Sequence, residues 1–465
     1  MQEYDFEVAI VGGGSAGYAA ARTAHDAGLK TVVIEGGEEV GGLCILRGCM
    51  PTKALLYAAE VLHLASHPQI WGIRTENAGF DYAKVLARKN AMIEDFAGYR
   101  RSQLESGRFE FIRANARFTD PQHLFLSNGR TISARYFVLT TGSSITPSPL
   151  PFLNELGFIT SDEALIMPKL PESIIVLGGG LVAVEFAQFF TRFGVKVTMI
   201  QRGSQLLKGF DADASEAIEK VLVREGVSLF KDSKLLGGRC EQGRKELTFQ
   251  HGDQQSTVAA EQIFYALGRS PNTRGLDLAN AGVATDGLRI ITNDEMRTSA
   301  SHIYAAGDCT GPHEIVHIAI QQGEISAHNI AHPERHRKMD YRLLISVVFT
   351  EPQMAYVGLT EKEAKAANRP YIVASYPFAD HGKSMIAEAK DGFVKLLADP
   401  VTGEILGGAC VGPEGGELIH EIVAAMYKRM TVGELAVMPH YHPTLAEIWT
   451  YPAEELASQI KPTAG

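Results

Sequence analysis

Two short glycine clusters constrain this chain more than any other feature of it. The first follows an apolar run at 7–11 (EVAIV) and reads Gly12-x-Gly14-x-x-Gly17. An alanine-rich helix is expected over 15–27, with Gly28 stopping it and TVVIE (31–35) as the next buried strand. Strand, glycine turn, helix, strand is a βαβ unit with a parallel strand pair. In such a unit the first glycine permits the tight turn, and the second lets backbone approach a pyrophosphate. The third lets helix and strand pack closely. The helix start then offers free N–H groups and a positive dipole end to phosphate. Glu35, at the end of the second strand, suits a ribose 2′-OH. Gly12, Gly14, Gly17 and Glu35 are therefore read as an adenine-dinucleotide site, against the alternative of a tight turn that binds nothing.

The same grammar returns about 165 residues later. A strand is expected over 174–177, a helix over 181–193 and a strand over 195–200, with Gly178-x-Gly180-x-x-Ala183 as the turn. Alanine in the third position loosens the helix–strand contact slightly. No acid follows the second strand; Gln201, Arg202 and then Lys208 stand there instead. A 2′-OH reader is acidic and a 2′-phosphate reader basic. This favours NADP over NAD, unless Arg202 and Lys208 are merely solvated surface cations.

Composition bounds the remainder. The 465 residues correspond to about three domains. A net charge of −10 argues against general nucleic-acid binding, which needs a basic face. No apolar run reaches the roughly 18 residues needed to span a bilayer. Residues 1–7 carry three acids and no basic region, unlike a secretory leader. Five cysteines in a chain this long do not make a disulfide scaffold, so a reduced, cytoplasmic setting is expected. Any disulfide would then be catalytic rather than structural. Further strands are expected over 137–144, breaking at Gly142, and over 303–308, ending at Gly307-Asp308. Beyond about 340, alternating strands and late helices follow, the clearest helix over 417–430.

The stretch Gly41-Gly42-Leu43-Cys44-Ile45-Leu46-Arg47-Gly48-Cys49-Met50-Pro51-Thr52-Lys53 is the most informative. On an ideal helix, residues five apart are about 8.6 Å from each other. A disulfide needs Cα atoms within about 7 Å. A Cys44–Cys49 bridge therefore requires an irregular first turn, which Gly48 permits. Arg47 and a nearby helix N-terminus would favour the thiolate. The alternative is two unpaired cysteines buried as small hydrophobes. No second Cys/His pair follows at zinc spacing, so no metal is expected. Cys240, Cys309 and Cys410 have no comparable context.

Near the end stands His440-Tyr441-His442-Pro443-Thr444-Leu445-Ala446-Glu447. Glu447 is close enough in sequence to bond the His442 ring and fix its tautomer. A carboxylate partner raises imidazole basicity, which suits a proton acceptor for a thiol. A lone His–Glu pair is usually structural, and this one gains weight only from the thiols elsewhere.

Taken together, these motifs resemble the flavoprotein disulfide reductases, the FAD-dependent pyridine nucleotide-disulfide oxidoreductases that include dihydrolipoamide dehydrogenase, glutathione reductase and mercuric reductase. Thr140-Thr141-Gly142, Gly268-Arg269-Ser270-Pro271-Asn272, Gly307-Asp308 and Val348-Phe349-Thr350-Glu351-Pro352 fall in family order. The resemblance implies an α/β fold with two Rossmann-like dinucleotide-binding domains and a C-terminal α+β dimerisation domain. Its boundaries would be 1–145 and 273–339 for the FAD domain, 146–272 for the NAD(P) domain and 340–465 for the interface domain. It implies FAD at the first fingerprint, with Lys53 near the flavin and paired to Glu185. Asp308 would meet the ribityl chain, the Ala116 backbone the adenine, and Gly142 and His317 would line the same cofactor. NAD(P)H would occupy the second fingerprint with Gly268. Cys49 would be the flavin-side thiol, Cys44 the interchange thiol, and His442 with Glu447 would act on the thiols of the partner chain in a homodimer.

The substrate stays open. The sequence suits reduction of a small or protein-bound disulfide. The alternative is electron delivery to a quinone or metal ion. The 457–465 tail has no cysteine, unlike relatives with an extra C-terminal redox pair. Arg47 between the thiols is unlike the small or polar residue usual there, and would attract an anionic or electron-poor substrate.

Overall fold

The computed structural model describes residues 3–76 and 78–460. The first two residues and 461–465, on which the leader and tail readings partly rest, lie outside them. The chain divides into two compact units, each stitched from separated stretches. Unit 1 comprises Met1–Ala54, Tyr82–Pro147 and Gly268–Met339; unit 2 comprises Leu55–Asp81, Ser148–Leu267 and Asp340–Gly465.

Unit 1 is built on the first βαβ motif. Strands β1 (Phe6–Val11) and β2 (Thr31–Glu35) flank helix α1 (Ser15–Asp26). They run parallel with Val8 opposite Thr31 and Val11 opposite Ile34. Four more strands, β3 (Glu110–Arg113), β4 (Ala116–Asp120), β5 (His123–Leu126) and β6 (Thr131–Leu139), extend the sheet in the order β3-β2-β1-β6-β5-β4. The late strand Ile303–Ala305 joins it, pairing in parallel with Phe137–Leu139 of β6. The inner strands read as continuous apolar runs because both faces are covered. Val8, Ala9 and Ile10 have no exposed surface. On one face α1 packs against the helix Val316–Ala331. A Cβ on Gly323 of that helix would lie 2.3 Å from the Ala16 carbonyl oxygen, so only glycine permits this approach.

Unit 2 contains the second motif. Its parallel sheet runs Ser228–Phe230, Lys196–Ile200, Ser173–Leu177, Gln262–Tyr265 in spatial order. The Leu181–Arg192 helix buries Phe186, Phe189 and Phe190, each contributing about 1.5–3 kcal/mol. A three-stranded antiparallel meander follows over Ser233–Ala260. The C-terminal part is a five-stranded antiparallel sheet, ordered Ile345–Val348, Gln353–Gly358, Ile405–Gly412, Phe393–Ala398, Ile372–Pro377. The helices Gly415–Tyr427 and Thr450–Gln459 contribute to its core, where Trp449, Ile419, Ile422 and Leu456 are fully buried. This is the mixed α/β architecture expected from the sequence. The strand expected over 137–144 is split: β6 ends at Leu139 and a short strand, Ser143–Ile145, follows Gly142, whose φ is +69°.

Candidate active site

The first fingerprint leaves a donor set without protein partners of its own. Helix α1 begins after Gly14 with no side-chain cap and no acid in its first turn. Its first N–H groups therefore need an acceptor from outside the helix. Gly12 has φ +110°, and a Cβ on Gly17 would fall 1.8 Å from the Gly12 carbonyl oxygen. The tight turn and close packing expected of those glycines are both present. Glu35 accepts 2.7 Å hydrogen bonds from the Gly13 N–H through Oε2 and from the Gly37 N–H through Oε1. A carboxylate has about four acceptor sites, so capacity for a ribose hydroxyl remains. The residues fit an FAD pyrophosphate and ribose.

The other residues expected around the flavin belong to the same unit. Lys53 sits in the first turn of helix α3 (Cys49–Ser66), half-buried. Ala116 opens β4 opposite Leu126. Asp308 opens a short 3₁₀ turn after Gly307, whose φ is +79°. Its Oδ2 accepts a 2.7 Å bond from the Ser143 hydroxyl, and Arg269 Nε donates to that same hydroxyl at 2.9 Å. His317 is the second residue of the Val316–Ala331 helix.

At the second fingerprint Gly178 has φ +118° and Gly180 faces open space. The Leu181–Arg192 helix likewise has no side-chain cap and no acid in its first turn. Ala183 is fully buried. The loop after the second strand is folded back onto the fingerprint. The Leu207 N–H donates 2.7 Å to the Gly179 carbonyl, and the Arg202 N–H donates 3.1 Å to Gln201 Oε1. Arg202 and Lys208 are exposed and form no ion pair among the described residues. Glu185 is buried and accepts a 2.9 Å bond from the Phe349 N–H. Gly268, φ +113°, starts the return to unit 1.

The thiol segment is irregular where the spacing demanded it. A single turn, α2 (Leu43–Leu46), ends at Arg47, and α3 restarts at Cys49. A Cβ on Gly48 would meet the Leu43 oxygen at 3.0 Å and the Cys44 Cα at 3.3 Å. The absence of a side chain there lets the two half-turns close on each other. Both cysteines are half-buried, and their thiols are hydrogen-bonded to each other. The Cys44 thiol is raised far above its usual range, first by its hydrogen bond to Cys49 and then by burial. Lys53 opposes this weakly. The mutual hydrogen bond and burial thus oppose the thiolate that Arg47 and the helix N-terminus were expected to favour. Cys49, first residue of α3, has the helix N-terminus that stabilises a thiolate. Arg47 does not act as a free cation between the thiols, because its Nη2 lies 3.1 Å from Glu39 Oε2 on the surface.

The histidine loop lies in unit 2. Nδ1 of His442 is 3.0 Å from Glu447 Oε2 and 3.2 Å from Oε1. Glu447 is buried at 9% exposure, whereas the His442 side chain is 78% exposed. The carboxylate therefore fixes the ring and leaves Nε2 facing outward. His440 turns elsewhere, with Nε2 2.6 Å from Glu421 Oε1 and Nδ1 3.0 Å from the Met438 oxygen. One neighbour escaped the sequence reading altogether. His381 is completely buried, with Nε2 3.4 Å from Glu447 Oε1. It lies 66 positions before Glu447, and no local pattern marks it. Among the described residues, no cluster of His, Cys, Asp and Glu is arranged to hold a metal. No described helix is long and apolar enough to cross a membrane.

Comparison with known proteins identifies the family. The family profile described as pyridine nucleotide-disulphide oxidoreductase matches residues 6–323, and its dimerisation domain matches 344–453. A dihydrolipoyl dehydrogenase of Bacillus subtilis (strain 168) is 34% identical over 460 residues, covering 95% of this chain and 96% of its own. The solved flavoprotein disulfide reductase RclA from Escherichia coli superimposes with a TM-score of 0.85 at 25% identity, covering 96% of this chain and 99% of its own. LpdA from Mycobacterium tuberculosis gives 0.86 at 28% identity, covering 97% and 99%. The chain belongs to the FAD-dependent pyridine nucleotide-disulfide oxidoreductase family, and is an NAD(P)H-dependent flavoprotein disulfide oxidoreductase.

Proposed function

We propose that the chain reduces a small disulfide of the lipoamide type with NADPH, working as a cytoplasmic homodimer. FAD, when bound, relays the two electrons of the nicotinamide to the Cys44–Cys49 pair. Two Rossmann-like domains (1–145 with 273–339, and 146–272) would hold the two cofactors, and 340–465 would form the interface. Gly12, Gly14, Gly17, Glu35, Lys53, Ala116, Gly142, Asp308 and His317 would bind FAD. Gly178, Gly180, Ala183, Glu185 and Gly268 would bind the nicotinamide nucleotide. Arg202 and Lys208 would neutralise its 2′-phosphate.

In this reading Cys44 attacks the substrate disulfide and forms a mixed disulfide. Cys49 then attacks Cys44, regenerating the intramolecular bond and releasing the second substrate sulfur as a thiolate, which takes its proton from solvent. His442 of one protomer, oriented by Glu447, takes the proton from Cys44 of the other and returns it to the first leaving sulfur. The observation that carries the reading is geometric: Gly48 lets the half-turns bearing Cys44 and Cys49 close on each other, and an exposed His442 ring is oriented by the buried Glu447 carboxylate. A thiol that attacks a disulfide needs a base, and His442 Nε2 is left exposed to act as one.

The test is anaerobic titration of the flavin-loaded protein with NADPH and separately with NADH, following absorbance. A long-wavelength band at the two-electron stage, appearing faster with NADPH, is the expected result. It reports a Cys49 thiolate against oxidised flavin. Bleaching without that band overturns the role of the thiols; faster response to NADH overturns that of Arg202 and Lys208. An Arg202→Ala variant should lose preference for NADPH.

A further inference from the structure

Glu447 does not face His442 alone. His381, at the end of a short turn after the Ile372–Pro377 strand, has a completely buried ring. Its Nδ1 is 2.8 Å from Ser384 Oγ, and Ser384 is also fully buried. Its Nε2 lies 3.4 Å from Glu447 Oε1, long and misaligned for a hydrogen bond. It has no other partner among the described residues. The tautomer follows from the charges. A bare Nε2 would point its lone pair at a carboxylate, so Nε2 carries the proton and Nδ1 accepts from the Ser384 hydroxyl. Burial pushes the imidazole below its usual range and so keeps the ring neutral near pH 7.

A buried N–H without an acceptor is costly, and so is a buried carboxylate whose partner is a single exposed ring. Both costs fall if the 3.4 Å gap closes. We propose that His381 is a positioning residue for the reaction: it donates through Nε2 to Glu447, holding that carboxylate ionised and aimed at His442. The proposal rests on the reading of His442 as the proton carrier. The aromatic wall around His381 is formed by Phe378 and Tyr451, each with its ring centroid 6.4 Å from the imidazole. Tyr376 stacks on Tyr451 at 4.0 Å, and its hydroxyl donates to the Asp380 carbonyl. The titratable groups facing the ring are thus Glu447, His442, Tyr451 and Tyr376, with Asp380 and Lys383 on its own segment. Sharing the Glu447 charge between two imidazoles weakens its hold on the His442 proton. Without His381 that hold strengthens, and His442 must be deprotonated at higher pH.

The experiment measures kcat/KM for oxidised lipoamide from pH 5 to 9 with the flavin-loaded protein and its His381→Leu, His381→Gln and His442→Gln variants. A glutamine amide nitrogen occupies nearly the place of imidazole Nε2, so His381→Gln keeps the donor. The acidic limb in His381→Leu should move up by about half a pH unit or more, and His381→Gln should restore it. Reduction of ferricyanide by NADPH, which bypasses the thiols, should stay unchanged in His381→Leu and His381→Gln. If His442→Gln loses less than about a hundredfold, the proton-carrier reading itself fails. If His442→Gln loses that much while the His381→Leu profile overlays the wild type, only the present proposal is overturned. A shift that His381→Gln does not restore also overturns it. Should His381→Leu not fold, Ser384→Ala replaces it, with the same upward shift expected and an unmoved limb counting against the proposal.

Discussion

A methyl group on Gly48 would press on the Leu43 carbonyl and on the Cys44 backbone, the two points where α2 and α3 meet. Overpacking of this kind costs about 1–3 kcal/mol, and here the strain falls between the two thiols. Gly48→Ala should therefore stay folded but form the Cys44–Cys49 bond poorly. Thiol titration of the denatured protein after mild oxidation checks this: the wild type should expose three of its five thiols, and the variant a large fraction with all five. At this scale the sequence was informative wherever chemistry needs a particular residue at a particular spacing. Gly12, Gly17, Gly48 and the two cysteines could be read because their constraints are local. The proximity of His442 to Glu447 was readable for the same reason. His381 could not be read, because it reaches Glu447 from another strand connection, and only the fold brings them together.

The turn between the strands Ile345–Val348 and Gln353–Gly358 carries Glu351, whose backbone is held at both ends. Its N–H donates to Gln188 Oε1 and its carbonyl accepts from Gln188 Nε2, each at 2.7 Å. Burial, and then the charge of Glu60, push its carboxyl up to about 8 from 4.5. The folded state thus binds this proton more tightly than the unfolded state does. Its stabilising contribution is complete below about pH 4.5 and is lost as pH rises through 8. Glu351→Gln should flatten that decline. It should raise stability at pH 8.5 on the order of a few kcal/mol while changing little at pH 4.5. Urea midpoints at the two pH values test this, and equal gains at both would contradict it. Elements of this kind explain what the sequence left out. The strand and helix runs announced themselves by apolar period and glycine stops, and their ends fell within a few residues of expectation. The split after Leu139 and the loop folded onto Gly179 depend on partners far along the chain.

Across the molecule, each unit is held together by side chains from distant stretches. Lys395, 2% exposed, lies 2.9 Å from Glu361 and 3.3 Å from Asp211, and also pairs with Asp213. Asp211 in turn accepts the Glu361 and Lys362 N–H groups. The ammonium, on the Phe393–Ala398 strand of the antiparallel sheet, ties that sheet to the start of the Ala212–Arg224 helix. Lys395→Met would remove the buried cation these carboxylates share, leaving Asp211 its two N–H donors and Glu361 its exposed Lys365, and should cost about 3 kcal/mol, the low end for a broken buried pair. Calorimetry on the flavin-loaded protein would register it as a lowered Tm, and an unchanged Tm would refute it. No local pattern marks Lys395, since a buried lysine reads in sequence like any exposed one. The late arrival of Ile303–Ala305 on β6 has a different consequence, one of timing. A ribosome making about 5–20 residues per second needs roughly 8–30 s to pass from Leu139 to that strand. Throughout that interval the nascent chain presents an unsatisfied, fully apolar strand edge at Phe137–Leu139. Synthesis of this protein should therefore depend on chaperones that shield such an edge, and a chain terminated before residue 303 should aggregate rather than bind flavin.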